Sequence, residues 1–197
     1  GVWIGDYIFE DINNDGVINE QDRDYIGNPS PNFTFGIGNT FTYKGIDLNI
    51  QLSGSYGNEA VNYQRRFLEN PRENTNLLHS ALGYAELALI NPDGPTDYRN
   101  VEIVGGDRYM PRIAASSAAS TSNFRYSNRF VEDGSYMRIQ NVSLGYNFPR
   151  DLVEKYGLLN LKVYTNIQNL YTFTKYSGYD PEIGSINQDA LLTGIDN

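Results

Sequence analysis

The sequence has no cysteine and a single histidine, His79, in 197 residues. Without thiols there is no disulfide scaffold, no thiolate zinc site and no thiol nucleophile. One histidine cannot build a multi-histidine metal centre, and a histidine-dependent triad would rest on that residue alone. Basic residues are also scarce: 15 Lys and Arg against 24 Asp and Glu leave a formal charge of −9. That balance excludes the basic stripe with which proteins track nucleic acid. No apolar run reaches the roughly 18 residues of a membrane-spanning helix. A barrel strand passes that filter unseen, because its apolar residues alternate with polar ones. Nothing resembles a nucleophile elbow, a phosphate loop or a placed pair of glycosidase carboxylates. No enzyme is expected, and no catalytic residue is assigned.

What the chain does have is 16 Tyr, 19 Gly and abundant Asn. Its length suits one domain. It starts Gly1-Val2-Trp3, without Met or a leader, and its last residues read as loop, so it is expected to be an excised or processed piece. Five stretches follow from the pattern. Residues 1–32 are turn-rich. Residues 33–56 alternate with period two: Phe33, Phe35, Ile37, Phe41 and Tyr43 share one face, Thr34, Gly36, Gly38, Thr40 and Thr42 the other. Asn39 interrupts the apolar face and marks a place for a bulge or an inward contact. Lys44-Gly45 is a two-residue turn, and Ile46, Leu48, Ile50 and Leu52 then alternate with Asp47, Asn49, Gln51 and Ser53, which predicts a β-hairpin. Residues 57–133 form a long insertion, with helix-compatible stretches at 59–69 and 77–90 and a Ser/Ala/Thr run at 116–122. Residues 134–173 hold two more strands, Val142 to Phe148 and Asn160 to Phe173, around a short turn after Pro149. Residues 174–197 read as a loop.

Any half-solvated antiparallel sheet alternates in this way. Three features point further. The strands have the 9–11 residues that cross a bilayer at a tilt. Aromatics gather at strand ends: Phe33 and Phe35, Phe41 and Tyr43, Tyr146 and Phe148, Tyr171 and Phe173. Connections alternate between short and long, as periplasmic turns and external loops do. The pattern alone leaves two architectures, an arc of a transmembrane barrel or a soluble β-sandwich with one large insertion. Four strands cannot close a barrel, whose smallest members need about 8.

The segment DINNDGVINEQD runs from Asp11 to Asp22. Asp11, Asn13 and Asp15 occupy positions 1, 3 and 5 of an EF-hand-like loop, Gly16 position 6, Val17 position 7 through its carbonyl, and Asn19 position 9. Position 12 is Asp22, whose arm is shorter than that of Glu. Residues 5–9 do not read as the first helix of a sensor. Two readings stand side by side, a structural Ca²⁺ site and a metal-free Asx-rich turn.

Three blocks taken in order, GDYIFEDINNDGVINEQDRDYIGNPSPNFTFGIGNTFTYKGIDLNIQLSGSYGNE, FVEDGSYMRIQNVSLGYNFP and LKVYTNIQNLYTFTKYSGYDPEI, resemble the C-terminal barrel region of SusC/RagA-family TonB-dependent outer-membrane transporters. The resemblance covers about two-thirds of the chain and omits mainly residues 60–128. It implies an all-β fold: a partial transmembrane antiparallel β-barrel of about four strands with long extracellular loops, cut from a large plugged barrel of about 22 strands. It also implies import of oligosaccharides or peptides across a Bacteroidetes-type outer membrane. A SusD-like surface lipoprotein would act as capping partner, and TonB would engage an N-terminal region absent from this sequence. The loop 11–22 and the insertion 57–133 would then lie outside the cell. The rival expectation is a soluble, secreted, Ca²⁺-stabilised β-domain that binds glycan or a partner protein, and a weaker one is a secreted hydrolase domain. His79 is expected to be a packed or surface residue and Arg65-Arg66 a solvated face. Trp3 fits an aromatic girdle or loop packing equally well.

Overall fold

The computed structural model describes residues 2–73, 75–113, 123–184 and 194–196. The Ser/Ala/Thr run at 116–122 therefore lies outside the described residues. The chain divides into two compact units, one from 1–27 and 62–131, the other from 28–61 and 132–196.

The second unit carries the main sheet. Strands β1 (Phe33–Tyr43) and β2 (Ile46–Tyr56) pair antiparallel over eleven consecutive positions, from Phe33 opposite Tyr56 to Tyr43 opposite Ile46. Lys44 and Gly45 close the hairpin with φ of 48° and 86°, the left-handed pair that matches strand twist. A Cβ on Gly45 would also stand 2.6 Å from the Asn147 carbonyl. Asn39 pairs with Ile50 in unbroken register, so the bulge expected there is absent. A short strand β3 (Glu59–Asn62) follows β2. In the first unit, β4 (Glu86–Leu89) and β5 (Val101–Gly105) pair antiparallel. Strand β6 (Val131–Asp133) leads into the long β7 (Tyr136–Asn147), β8 (Lys162–Thr174) follows, and β9 (Ile195–Asp196) is the last. The four long strands make one antiparallel sheet in the order β1-β2-β7-β8, and β6-β3-β9 make a small one.

The bulge sits on β7 instead. Gln51 faces Asn141 and Leu52 faces Ile139, which leaves Gln140 as an extra residue. On the other side Gln140 lies opposite two residues of β8, Asn169 and Leu170, and Asn169 takes φ 50°. Asn tolerates that conformation better than a branched residue would. The turn between β7 and β8 is built from helix α2 (Arg150–Val153) and a 3₁₀ turn ending at Gly157, φ 73°.

Side-chain parity gives the sheet two unlike faces. One carries Ile37, Phe41, Leu144, Val163, Ile167 and Tyr171, all exposed; Phe41 retains 57% and Val163 58% of its surface. The other is read row by row from the register. Thr40, Asn49, Ser143 and Asn166 form one row, and Gly38, Gln51, Asn141 and Gln168 the next. These middle rows bear amides and hydroxyls but no charge.

The first unit is organised differently. Helix α1 (Tyr63–Leu68) is capped by Asn62, whose side chain accepts from the Arg65 N–H at 2.9 Å. The helix expected over 77–90 is a correction: only a 3₁₀ turn at His79–Gly83 forms, and the chain then extends into β4. Two contacts account for this. Gly83 packs so tightly on Asp107 that a Cβ would stand 2.0 Å from its carboxylate, and the Ala85 N–H donates to the Pro111 carbonyl at 3.2 Å. Leu77, Leu82 and Leu89 are left exposed. The stretch at 59–69 likewise starts as β3 before it turns helical. The core of this unit gathers Phe130, Phe124, Met110 and Tyr84 with two polar residues, Glu69 and Asn123. Among the described residues no helix is long and apolar enough to cross a membrane.

Candidate functional site

The loop 11–22 closes on itself through its side-chain oxygens. Asp11 accepts from the Asp15 N–H at 3.2 Å and from the Gly16 N–H at 2.7 Å, and Asn13 accepts from the Asp15 N–H at 3.0 Å. Asp15 accepts from the Val17 N–H at 2.8 Å. Gly16 takes φ 82°, the left-handed turn required at that position. Asn19 caps a 3₁₀ turn, Glu20–Asp22, and the Val17 carbonyl accepts from its amide at 3.1 Å. Asp22 ties the two ends together, accepting from the Asn19 N–H at 2.7 Å and the Ile12 N–H at 3.0 Å. Those backbone donors, the Asn19 N–H first, hold the Asp22 carboxyl below the ordinary carboxylate range, with the Asp11 carboxyl beside it.

Asp11, Asn13, Asp15, Val17, Asn19 and Asp22 thus belong to one hydrogen-bonded loop. All the donor atoms are oxygens, the chemistry a hard cation takes. Among the described residues no three His, Cys, Asp or Glu side chains are grouped so as to hold a metal ion by themselves. A cation here would therefore draw on the Asn amides and the Val17 carbonyl as well as on the carboxylates.

Elsewhere in the first unit, a cleft of about 720 Å³ opens between residues 2–8 and 103–111, with Trp3, Tyr98, Ile103, Val104, Arg108 and Met110 in its walls. Its carboxylates are engaged. Asp6 lies 2.9 Å from the Arg112 Nε and accepts from Asn123, while Asp107 accepts from the N–H groups of Tyr109 and Met110. Near this cleft, Glu69 is 2% exposed and accepts from Arg65 at 3.0 Å, Arg129 at 2.6 Å and Ser80 at 3.0 Å. The Tyr84 hydroxyl donates to the Glu69 carbonyl and the Tyr7 hydroxyl to the Tyr109 carbonyl. Burial pushes the Tyr7 phenol up to about 12 against the opposing pull of Arg129, and burial raises Tyr84 as well.

No family profile matches the chain. A TonB-dependent receptor of Formosa agariphila is 36% identical over 185 residues, which cover 94% of this chain and 16% of that receptor. The chain is homologous to one segment of the SusC/RagA type of TonB-dependent receptor. A second receptor of that organism is 30% identical over 190 residues, 95% of this chain and 17% of its own length. TonB-dependent receptor SusC of Bacteroides thetaiotaomicron is 27% identical over 184 residues, 90% of this chain and 15% of its own. Among solved structures, the RagAB peptide importer in its open-open state aligns with TM-score 0.57 at 22% identity, over 85% of this chain and 15% of that one. Its closed-closed state aligns with TM-score 0.53 at 26% identity, over 78% and 15%.

The chain therefore spans about a sixth of the length of the curated relatives it matches. Its four-stranded antiparallel sheet matches a fragment of a TonB-dependent transporter barrel, one of the two architectures that the alternation left open. Sequence reading missed the ion pairs of Arg138 with Asp180 and Glu182, and the Glu69 centre. The only signal for the former was an Arg on the polar face of a strand that is otherwise amide and hydroxyl.

Proposed function

We propose that this chain supplies barrel wall and external loops to a TonB-dependent outer-membrane importer of oligosaccharides or peptides. The observation that carries the reading is the sheet itself. Its strands are 11, 11, 12 and 13 residues long, one face is mostly apolar and exposed or half-exposed, and the middle rows of the other are amide and hydroxyl. An exposed apolar face of that extent is the composition of a lipid-facing wall, and the opposite face that of a lumen. The aromatic pairs Tyr146–Phe148 and Tyr171–Phe173, with ring centroids 4.8 and 4.7 Å apart, fit interfacial girdles at the two ends. A SusD-like lipoprotein would cap the receptor on its external side, near the insertion 57–133, TonB would power transport, and no catalytic role is assigned to this segment. The loop 11–22 would face the outside and take Ca²⁺ as a structural ion.

The absence of cysteine makes the test direct, since an introduced thiol is unique within this segment. In the intact receptor embedded in lipid, Asn49→Cys, Asn141→Cys and Asn166→Cys should react with a water-soluble maleimide. Leu48→Cys, Val142→Cys and Ile167→Cys should not. Equal labelling of both sets would overturn the barrel reading in favour of a soluble sheet.

A further inference from the structure

At the end of the sheet where β7 begins and β8 finishes, the polar face is covered. Ser55 and Arg138 are buried there, while Gln51, Asn166 and Gln168 further along the same face are exposed. Ser55 is held by the Asn58 side chain, to which its hydroxyl donates at 2.9 Å, and the cover over Arg138 is the segment 175–184, which doubles back after Thr174. It is fastened at three places. The Ser177 N–H and hydroxyl both donate to the Glu132 carboxylate at 2.8 Å. The buried Tyr176 donates its hydroxyl to Asp196 at 2.7 Å. Asp180 and Glu182 both pair with Arg138, Glu182 at 2.7 Å. Gly178 permits the tight return, because a Cβ there would stand 2.4 Å from the Tyr176 ring.

The third fastening differs from the other two in kind. Arg138 lies in the row of Ser53 and Thr172, and its Nε donates to the Thr172 hydroxyl at 3.0 Å, so its guanidinium is fixed to the sheet wall. Its side chain is 9% exposed, whereas those of Asp180 and Glu182 are 56% and 60% exposed. A guanidinium whose cover is a segment carrying two solvated carboxylates can be uncovered without being stranded. When the segment lifts, the charge is hydrated rather than left unpaired in a dry interior, so opening does not incur the cost of breaking a fully buried pair. The ring of Tyr136, on the same strand, lies 5.4 Å from the guanidinium.

We propose that residues 175–184 are a releasable strap over the polar face of the sheet, latched by Arg138 through Asp180 and Glu182, and that release exposes the row containing Ser53. That the exposed row faces a solute path rests on the barrel reading above; the latch itself does not. The probe is again a water-soluble maleimide, on the intact receptor with Ser53→Cys, and Asn166→Cys as a site beyond the strap. In Asp180→Asn/Glu182→Gln, labelling at Ser53→Cys should quicken about tenfold, the equilibrium equivalent of losing one charge-assisted hydrogen bond. Labelling at Asn166→Cys should stay unchanged. Raising salt from about 0.05 M to about 0.5 M should move the parent protein in the same direction, since half-exposed pairs are screened. Arg138→Met removes the latch from the wall side and should quicken Ser53→Cys likewise. Hydrogen exchange in the same variants separates release from unfolding. Amides 175–184 should exchange faster while those of β7 and β8 hold. Unchanged labelling at Ser53→Cys, or strands that loosen together with the strap, would overturn the proposal. The barrel reading would fail independently, through labelling of Val142→Cys and Ile167→Cys.

Discussion

In the four-stranded sheet, side chains sort by parity alone: hydrocarbon goes to one face, amides and hydroxyls to the other, and few residues are buried. The unit containing Glu69 sorts by depth, with Phe130 and Phe124 inside and a carboxylate at the centre held by two arginines. The sheet draws its regularity from the backbone ladder, which tolerates any side chain of the right polarity on the right face. The described elements of the Glu69 unit are short strands and short helical turns, so its geometry depends on particular side chains meeting particular partners. One kind of structure is robust to most substitutions within a face; the other has a single point on which many contacts converge.

Removing that point gives the largest expected effect. Glu69→Ala removes the carboxylate that Arg65 and Arg129 share and takes the acceptor from Ser80. Breaking one side of a buried ion pair costs about 3–5 kcal/mol. Hydrogen exchange on the intact receptor should show residues 63–69, 79–84 and 128–130 losing protection while β1, β2, β7 and β8 keep theirs. Equal loss in the sheet would mean that the two units fold as one and that the contrast is false.

The sheet is best challenged by parity. Ile167 and Asn166 are neighbours on β8 that project to opposite faces, opposite Val142 and Ser143. If the apolar face meets lipid, Ile167→Arg should destabilise the folded receptor by about 2–4 kcal/mol, and Asn166→Arg by much less, because only the first places a charge in hydrocarbon. Urea unfolding in lipid vesicles measures both. Similar costs for the two would argue that neither face is in a membrane.

The same contrast explains how much was legible in the amino-acid pattern. Parity is local and leaves a period-two trace, so β1, β2 and the Lys44-Gly45 turn could be read almost to the residue. The bulge could not. Asn39 broke the pattern yet sits in register, while Gln140 supplies the extra residue because both neighbouring strands shift around it. The segment 77–90 failed for the opposite reason. Its leucines have helical spacing, but Gly83 against Asp107 and Ala85 against Pro111 pull the chain straight from partners over twenty residues away. The Glu69 centre depends on residues 7, 65, 80, 84 and 129, whose proximity no spacing rule encodes. The loop 11–22 lay between these cases: its ligand-like order was visible, because its contacts span at most ten residues.

That loop gives the smallest expected effect, and one that belongs to neither regime. It is exposed and holds its shape by side chain-to-backbone hydrogen bonds, which are individually weak in water. The Asp22 carboxyl is held below its ordinary range by the Asn19 N–H, so the stabilisation it contributes is fully present above the unfolded carboxylate value of about 4. It is lost as pH falls through the lower folded value. A bound Ca²⁺ would extend the loop's order in the same direction, since cation and proton compete for the same oxygens. Calorimetric titration of the intact receptor with Ca²⁺ at neutral pH should give a heat that Asp11→Ala and Asp15→Ala remove and that fades below about pH 4. Equal heats in parent and variants would leave the loop as an Asx-rich turn, stable by its own hydrogen bonds. The pH dependence separates the two accounts further, because the hydrogen-bonded turn alone loses order on acidification whether or not Ca²⁺ is present. A cation site would instead shift that loss to lower pH as Ca²⁺ is raised.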